Sequence, residues 1–521
     1  MEEDICKMNA LNLLHTLVKD TATKCLEWVE ESDTGTFFAD PLEGGEISAH
    51  YGATHAAASF LLLGEKIGDK RLKAVGEKLF ISILDRWKAS AHLQDFHYDF
   101  NNFAVCVIIT KAGELLANKS IVERAKKIII SSPDSDHDTI NWLPMRWFVN
   151  LCRYEWTKEK QYSEKCEKCA KKIREATYQD GYIDDRLPKG LSFNLQYNIT
   201  TVGVLQYIRN CGIKIDLEKE TGALLNAVAP DGDINYLGRG TNQVFAWGPW
   251  LYLLSSADLE QDFTKAIEFC SKTIPEMLKR NNIMLNTWNG AERYLWWDYH
   301  YCSVYTAHFL FWLVLAIEDQ GKGPINPVLP SVNDSGISVL RENGWFITNF
   351  SGRSEYLSER GPIIAAIGLQ RGEMLLKGTF GPWRGSFGNK YSLPGIILHN
   401  FLGLISLQRY KKLRDNIIFR KLLSVHKKRV FTKEQPMFFS YSIITSDKQL
   451  TIRWLADESE KYVNIPLSID PANVNLQLRS DGEEVLISNV GTINNQYQQT
   501  NLWQSNSIHG KEIELIISLE V

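Results

Sequence analysis

Six stretches of this chain begin with polar and aromatic side chains and then turn apolar. In one, Gln196-Tyr197-Asn198 leads into Ile199 to Ile208, just after the turn-rich run Asp180 to Gly190. The others begin at His50-Tyr51, at His97-Tyr98-Asp99-Phe100-Asn101-Asn102, at Asp136-His137-Asp138 through Trp142, at Tyr236 through Gln243 with Arg239 and Asn242 inside, and at Trp296-Trp297-Asp298 through His300-Tyr301. These side-chain types can do chemistry. A phenol or an imidazole can take and return a proton. Amides and guanidinium groups can hold a developing oxyanion by hydrogen bonds that strengthen as charge builds. Aromatic faces offer stacking platforms.

Such groups need rigid elements that bring them to one place. Each stretch reads as the start of a buried helix whose first residues line a cleft. Between them lie amphipathic runs at helical spacing: 8–31, 70–88, 119–130, 158–177, 215–228 and 260–280. The polar starts recur about every 40–60 residues, the period of helix-pair repeats. Six inner helices alternating with outer ones predict an (α/α)6 toroid over residues 1–323, its funnel lined by the polar starts. Residues 324–337 are rich in Pro, Ser and Asn and read as a linker. Beyond it, short runs such as 345–348, 363–369, 438–444, 450–454, 485–487 and 513–519 predict an antiparallel β-sandwich over 338–521. The expected fold class is therefore α+β and multidomain.

Composition narrows the function. With 521 residues the chain is too long for one ordinary core. A net charge of −4 argues against a nucleic-acid partner but leaves room for a local basic cleft. The longest apolar run, Phe309 to Ile317, is too short to span a bilayer. Nine scattered cysteines and an acidic start, Met-Glu-Glu-Asp-Ile-Cys-Lys, favour a reducing, cytoplasmic setting. Cys166-x-x-Cys169 lacks a second pair, so no metal and no cofactor are expected. Oligomeric state is open.

The Asp180-Gly181 run ahead of Gln196-Tyr197-Asn198, the pair Asn101-Asn102, and Gly238-Arg239-Gly240 are similar to motifs of toroidal polysaccharide lyases. These are the heparinase II/III-like, alginate-lyase and chondroitin AC/hyaluronate-lyase enzymes, in which a β-domain follows the toroid. The resemblance implies an anionic oligosaccharide or polysaccharide as partner, and Tyr197 as the catalytic tyrosine. Two features depart from it: Asn198 stands where a histidine is expected, and the His/Asp-rich metal motif is missing.

The residue chemistry fits such a reaction. Elimination across C4–C5 of a uronic acid needs the carboxylate neutralised, a base for the C5 proton and an acid for the leaving oxygen. Asn101 or Asn102 with Arg239 or a histidine can neutralise. Tyr197 can serve as base and acid if a cation lowers its pKa of roughly 10. Arg239 is the candidate for that cation, and His97 or His300 can assist or act as the base. Substrate contacts are expected from Gln196, Asn198, His50, Tyr51, Tyr98, Trp142, Tyr236, Asn242, Trp247, Trp297, His300 and Tyr301. His399 is a further candidate, from the β-domain.

Plainer roles exist for each residue. Tyr197 can be an interfacial aromatic, Asn101 and Asn102 can cap a helix, and Arg239 can pair with Asp231 or Asp233. His55, His308, Trp250 and Trp312 read as core. A glycoside hydrolase, for instance of the unsaturated-glucuronyl type, is the rival enzyme. It would use paired carboxylates, here Asp99 and Asp138, with Asp233 and Asp298 behind them. A non-catalytic glycan-binding protein is the other alternative.

Overall fold

A computed structural model of the chain describes residues 2–41, 44–47, 50–89, 97–114, 116, 118–135, 137–190, 192–237, 244–279, 301–351, 363–380, 383–384, 439–464, 466–468, 474–494, 499–505 and 508–519. The first part is helical: α1 (Glu2–Leu26), α2 (Gly52–Ile67), α3 (Lys70–Ala89), α4 (Tyr98–Val107), α5 (Lys119–Ser131), α6 (Leu143–Thr157), α7 (Lys160–Ala176), α8 (Leu195–Asn210), α9 (Glu218–Ala227), α10 (Val244–Ser256), α11 (Glu260–Lys279) and α12 (Cys302–Glu318). The even-numbered helices form a closed ring. α2 packs on α4, α4 on α6, α6 on α8, α8 on α10, α10 on α12, and α12 back on α2. The odd-numbered helices pack outside them, α3 on α2, α7 on α6 and α11 on both α10 and α1.

The sequence explains the two layers. α10 is buried at every position and α12 from Cys302 to Ala316, as expected of helices that are apolar all round. α7 and α11 bury one stripe each and leave charges on the other face. At Gly248 on α10 a Cβ would press into Phe309 and Trp312 of α12, so the absent side chain sets how closely these helices approach. Inside the ring Phe103, Phe148, Tyr207, Phe311 and Trp312 pack edge to face and stacked, closing its lower end.

One local expectation differs. The first helix stops at Leu26 rather than running to 31. Val29–Ser32 (β1) pairs with Gly35–Asp40 (β2), which pairs with Gly45–Glu46 (β3). The β-branched Val29 and the Ser32-Asp33-Thr34-Gly35 turn favour a hairpin, and Gly35 has φ +130.

After α12 the chain crosses 324–337 and becomes β. The strands β4 (Ile337–Glu342), β5 (Trp345–Phe350), β6 (Ile363–Leu369) and β7 (Met374–Phe380) make a four-stranded antiparallel sheet. A second sheet holds β8 (Trp383–Arg384), β9 (Phe439–Thr445), β10 (Gln449–Asn464), β12 (Val474–Ser480), β13 (Glu483–Val485) and β16 (Ile508–Leu519). A third joins β11 (Pro466–Ser468), β14 (Ile487–Asn494) and β15 (Gln499–Ser505). Trp345, Ile347 and Ile367 of the first sheet share one buried cluster with Leu450, Trp454 and Leu515 of the second.

The β-region is tied to the ring. Ser335 donates N–H and Oγ–H to Asp180 at 2.8 and 2.7 Å. Arg341 donates to the carbonyls of Asn226 and Val228. Val328 N–H bonds Glu218 O, and a Cβ at Gly222 would run into the Val328 carbonyl. Because backbone cannot yield there, Gly222→Ala should cost about 3 kcal/mol of stability, read as a lower urea midpoint with unchanged slope. Among the described residues no helix is long and apolar enough to cross a membrane.

Candidate functional site

The N-terminal mouths of the six inner helices converge, and the rings there touch in sequence. His137 packs on Trp142 at 4.8 Å, Trp142 on His97 at 5.3 Å, His97 on His50 at 4.1 Å, and His50 on Tyr301 at 4.9 Å. That line runs across the mouths of α6, α4, α2 and α12. From the opposite side Tyr197, in the first turn of α8, stands edge-on to Phe245 of α10 at 6.4 Å. Phe245 stacks on His308 at 4.3 Å and meets Phe100 at 6.1 Å. Phe100 stacks on Tyr51 at 4.4 Å and stands perpendicular to Trp142. The result is a basin with an apolar aromatic floor and a rim of imidazole, phenol and indole. Tyr197, Tyr98 and Trp142 are half-buried; His50, His97, Tyr51 and Tyr301 are buried.

Local structure fixes these groups. Asn194 caps α8, its Oδ1 accepting from Gln196 N–H, which sets the turn that carries Tyr197. Leu195 N–H bonds Leu237 O, anchoring the following loop beside the same turn. Asn101 accepts from Thr54 Oγ at 2.9 Å and donates to the His97 carbonyl at 3.2 Å. Its role is thus to lock α4 to α2 beneath His97. Asn102 is buried on α4, with its Oδ1 unpartnered among the described residues.

Several expected contacts do not join the basin. Trp247 points outward, packs on Phe269 of α11 and donates to Asp233. Tyr236 donates to Ala227 O and shares a hydrogen bond with Thr348 of β5, so it pins the β-region. Asn198 spends its Nδ2 on Ile183 O at 2.8 Å. Gln196 is fully buried and accepts from Asn235. Arg239, Asn242, Trp297 and His300, with Trp296, Asp298 and His399, lie outside the described residues. His55 and His308 lie beneath the basin, buried, as do the core residues Trp250 and Trp312.

The described carboxylates at the helix mouths each have a partner within the chain. Asp99 binds Arg146, Nη2 at 2.8 Å and Nε at 3.3 Å, and burial lifts its carboxyl above the usual range despite the guanidinium. Arg146 also donates to the His137 carbonyl, so this pair fixes the histidine at the rim. Asp138 is exposed and paired with Lys172. Asp40 accepts from the N–H and Oγ–H of Ser303 at the start of α12, and Asp185 from Asn141 N–H before α6. Asp99→Asn should therefore cost about 3 kcal/mol in urea unfolding, because it strands a buried guanidinium. Asp138→Asn should stay within about 0.5 kcal/mol, since the pair is solvated.

His137 is the rim residue that sequence reasoning missed; its signal was an imidazole five residues ahead of Trp142. Cys166 and Cys169 are buried in the α7 contact, their thiols pushed up to about 12 chiefly by burial, which keeps them protonated.

No family model matches the chain, and no curated protein matches it. Among solved structures, it is similar to an α-1,6-mannanase from Salegentibacter sp., at 12% identity and TM-score 0.40, covering 58% of this chain and 99% of that one. An unsaturated glucuronyl hydrolase mutant from Streptococcus agalactiae gives 12% and 0.39 over 60% and 92%. A polysaccharide lyase gives 12% and 0.37 over 52% and 91%. At such scores the architecture rests on this chain's own helix ring.

Proposed function

We propose that the chain is a lyase that cleaves a uronate-containing glycan by β-elimination in the basin at the helix mouths. The observation that carries this reading is a half-buried tyrosine on one side of the basin and a row of imidazoles on the other, while the described carboxylates there each have a partner within the chain. A proton-transferring phenol and imidazole hydrogen-bond donors suit elimination. Hydrolysis would need two carboxylates placed across a bond, and Asp99 and Asp138 are bound elsewhere.

Tyr197, as phenolate, takes the C5 proton. The C5–H electron pair forms the C4=C5 double bond, the C4–O bond breaks, and the leaving oxygen regains the proton from the same phenol. His97 and His50 offer imidazole N–H donors to the uronate carboxylate, with Asn102 and Arg239 kept as partners from the sequence reading. Trp142, Tyr98 and Tyr301 offer ring faces for the sugar. Residues 1–323 are the catalytic toroid in this reading, 324–337 a linker, and the facing sheets of 338–521 a β-sandwich that braces it.

The test is ultraviolet absorbance of the purified protein with a panel of uronate-containing glycans, run beside a reducing-end assay. New absorbance from the C4–C5 double bond is the expected result. Reducing ends without it would replace elimination by hydrolysis, and binding with neither signal would leave a glycan-binding protein.

A further inference from the structure

The loop from Ile183 to Gly190 spans the rim between two inner helices. The Ile183 carbonyl accepts from Asn198 Nδ2 at 2.8 Å, beside Tyr197 on α8. Two residues on, the Asp185 carbonyl accepts from Ile140 N–H at 2.8 Å and its Oδ1 from Asn141 N–H at 3.2 Å, in the turn that delivers Trp142 to α6. The loop therefore stands between the tyrosine and the indole of the basin. Going round the ring, the mouth of α6 separates it from His97 on α4.

The four charged residues of this loop are sorted by sign. Asp184 is fully buried and accepts from Tyr178 Oη–H and Gly190 N–H at 2.8 Å, from Ser192 N–H at 3.1 Å and from Arg186 N–H at 3.3 Å. Asp185 is buried against the α6 turn. Both carboxylates face inward and accept from backbone N–H groups, whereas Arg186 and Lys189 are exposed. Lys189 donates to Thr177 O at 3.0 Å, and its Nζ lies over the Tyr178 ring at 4.8 Å. Those contacts hold the ammonium in place and use one of its three N–H donors. A loop braced on a buried carboxylate leaves little ordering for a ligand to impose. Guanidinium and ammonium groups form charge-assisted hydrogen bonds with oxyanions, and the guanidinium can do so as a two-pronged fork.

We propose that Arg186 and Lys189 form a cationic lip that binds an oxyanion, carboxylate or sulfate, on the sugar next to the reacting uronate. The proposal rests on the glycan reading above, in which the reacting carboxylate lies against His97 and His50. Neighbouring helix axes lie roughly 8–10 Å apart, so the charge met by the lip is a second one along the chain. The lip thus selects chains with negative charge on consecutive residues over chains in which a uronate alternates with an uncharged sugar.

Isothermal titration calorimetry on the full chain at low salt tests it with three tetrasaccharides: an oligomannuronate, charged by carboxylate on every residue; a heparin fragment, charged by sulfate beside the uronate; and a hyaluronan fragment, in which uronate alternates with a neutral sugar. At least one of the first two should bind roughly tenfold tighter than hyaluronan, and which one does so tells carboxylate from sulfate. Arg186→Gln combined with Lys189→Gln should bring the favoured fragment down to the affinity of hyaluronan. Arg186→Lys, which keeps the charge and loses the fork, should weaken the favoured fragment by less than the double substitution does. Lys160→Gln, exposed at the start of α7 on the outer layer, should leave all three affinities as they are. Equal affinity for the three fragments, a preference that survives the double substitution, an equal loss for all three, or no binding of any overturns the proposal. Because the readout is binding, absence of unsaturated product would sink the lyase and leave the lip standing. Equal affinities alongside unsaturated product would sink the lip and leave the lyase.

Discussion

Tyr197→Phe should keep substrate affinity and lose about three orders of magnitude in kcat. General acid–base catalysis contributes roughly 10²–10⁴-fold, and here one phenol is assigned both proton transfers. The substitution removes only the hydroxyl. The ring stays edge-on to Phe245, and the α8 turn is still set by the Asn194 cap, so the wall of the basin is preserved. A thousandfold fall corresponds to about 4 kcal/mol of transition-state stabilisation. With KM nearly constant, the loss belongs to the reaction step and not to binding. The comparison is His97→Gln, which keeps the tyrosine and removes the rim imidazole, and should raise KM as well as lower kcat. A Tyr197→Phe protein that forms unsaturated product at more than a tenth of the wild-type rate would show that another group is the base.

The ring of helices was legible because each inner helix advertises itself twice, by a polar start and by an apolar body. Ile363–Leu369 matches the expected 363–369 at both ends, where the apolar pattern is uninterrupted. The small sheet at 29–46 was not legible, because a four-residue strand carries too little periodicity to outweigh the helical run before it. The pairing of Arg146 with Asp99 and of Arg86 with Glu46 joins residues 47 and 40 positions apart, which only the packing of neighbouring elements brings together. Side-chain type alone also misassigned Trp247 and Tyr236. An indole or phenol near a helix mouth looks the same in sequence whether it faces the funnel or the outer layer. Which way it turns is fixed by Asp233 and Thr348, its partners.

His55 and His308 should make the protein acid-labile in a defined window. They face each other beneath the basin, ring centroids 5.2 Å apart, both fully withdrawn from water. His55 Nδ1 donates to Tyr51 O, while neither nitrogen of His308 has a partner among the described residues. Burial depresses both: His55 to about 3, and His308 well below its ordinary value, with the neighbouring imidazole adding to it. Unfolded, each takes a proton near pH 6.5; folded, each refuses it. The unfolded state therefore binds more protons below 6.5, so these groups leave stability unchanged above that pH and erode it as pH falls toward 3. The slope is about 1.4 kcal/mol per pH unit for each histidine. At pH 4.5 His55 alone should have removed about 2.7 kcal/mol, with His308 adding to it, a large part of the stability of many domains. Urea unfolding at pH 7.5 and 4.5 checks this against His308→Leu, which has similar volume and no titrating group. The variant should lose less stability than wild type between those pH values. Parallel losses in the two proteins would mean that His308 is not held neutral. The effect reaches the basin, because the His308 ring that must stay neutral is the one stacked under Phe245, the floor against which Tyr197 stands. Protonating it would draw the ring toward water and take the support of Tyr197 with it.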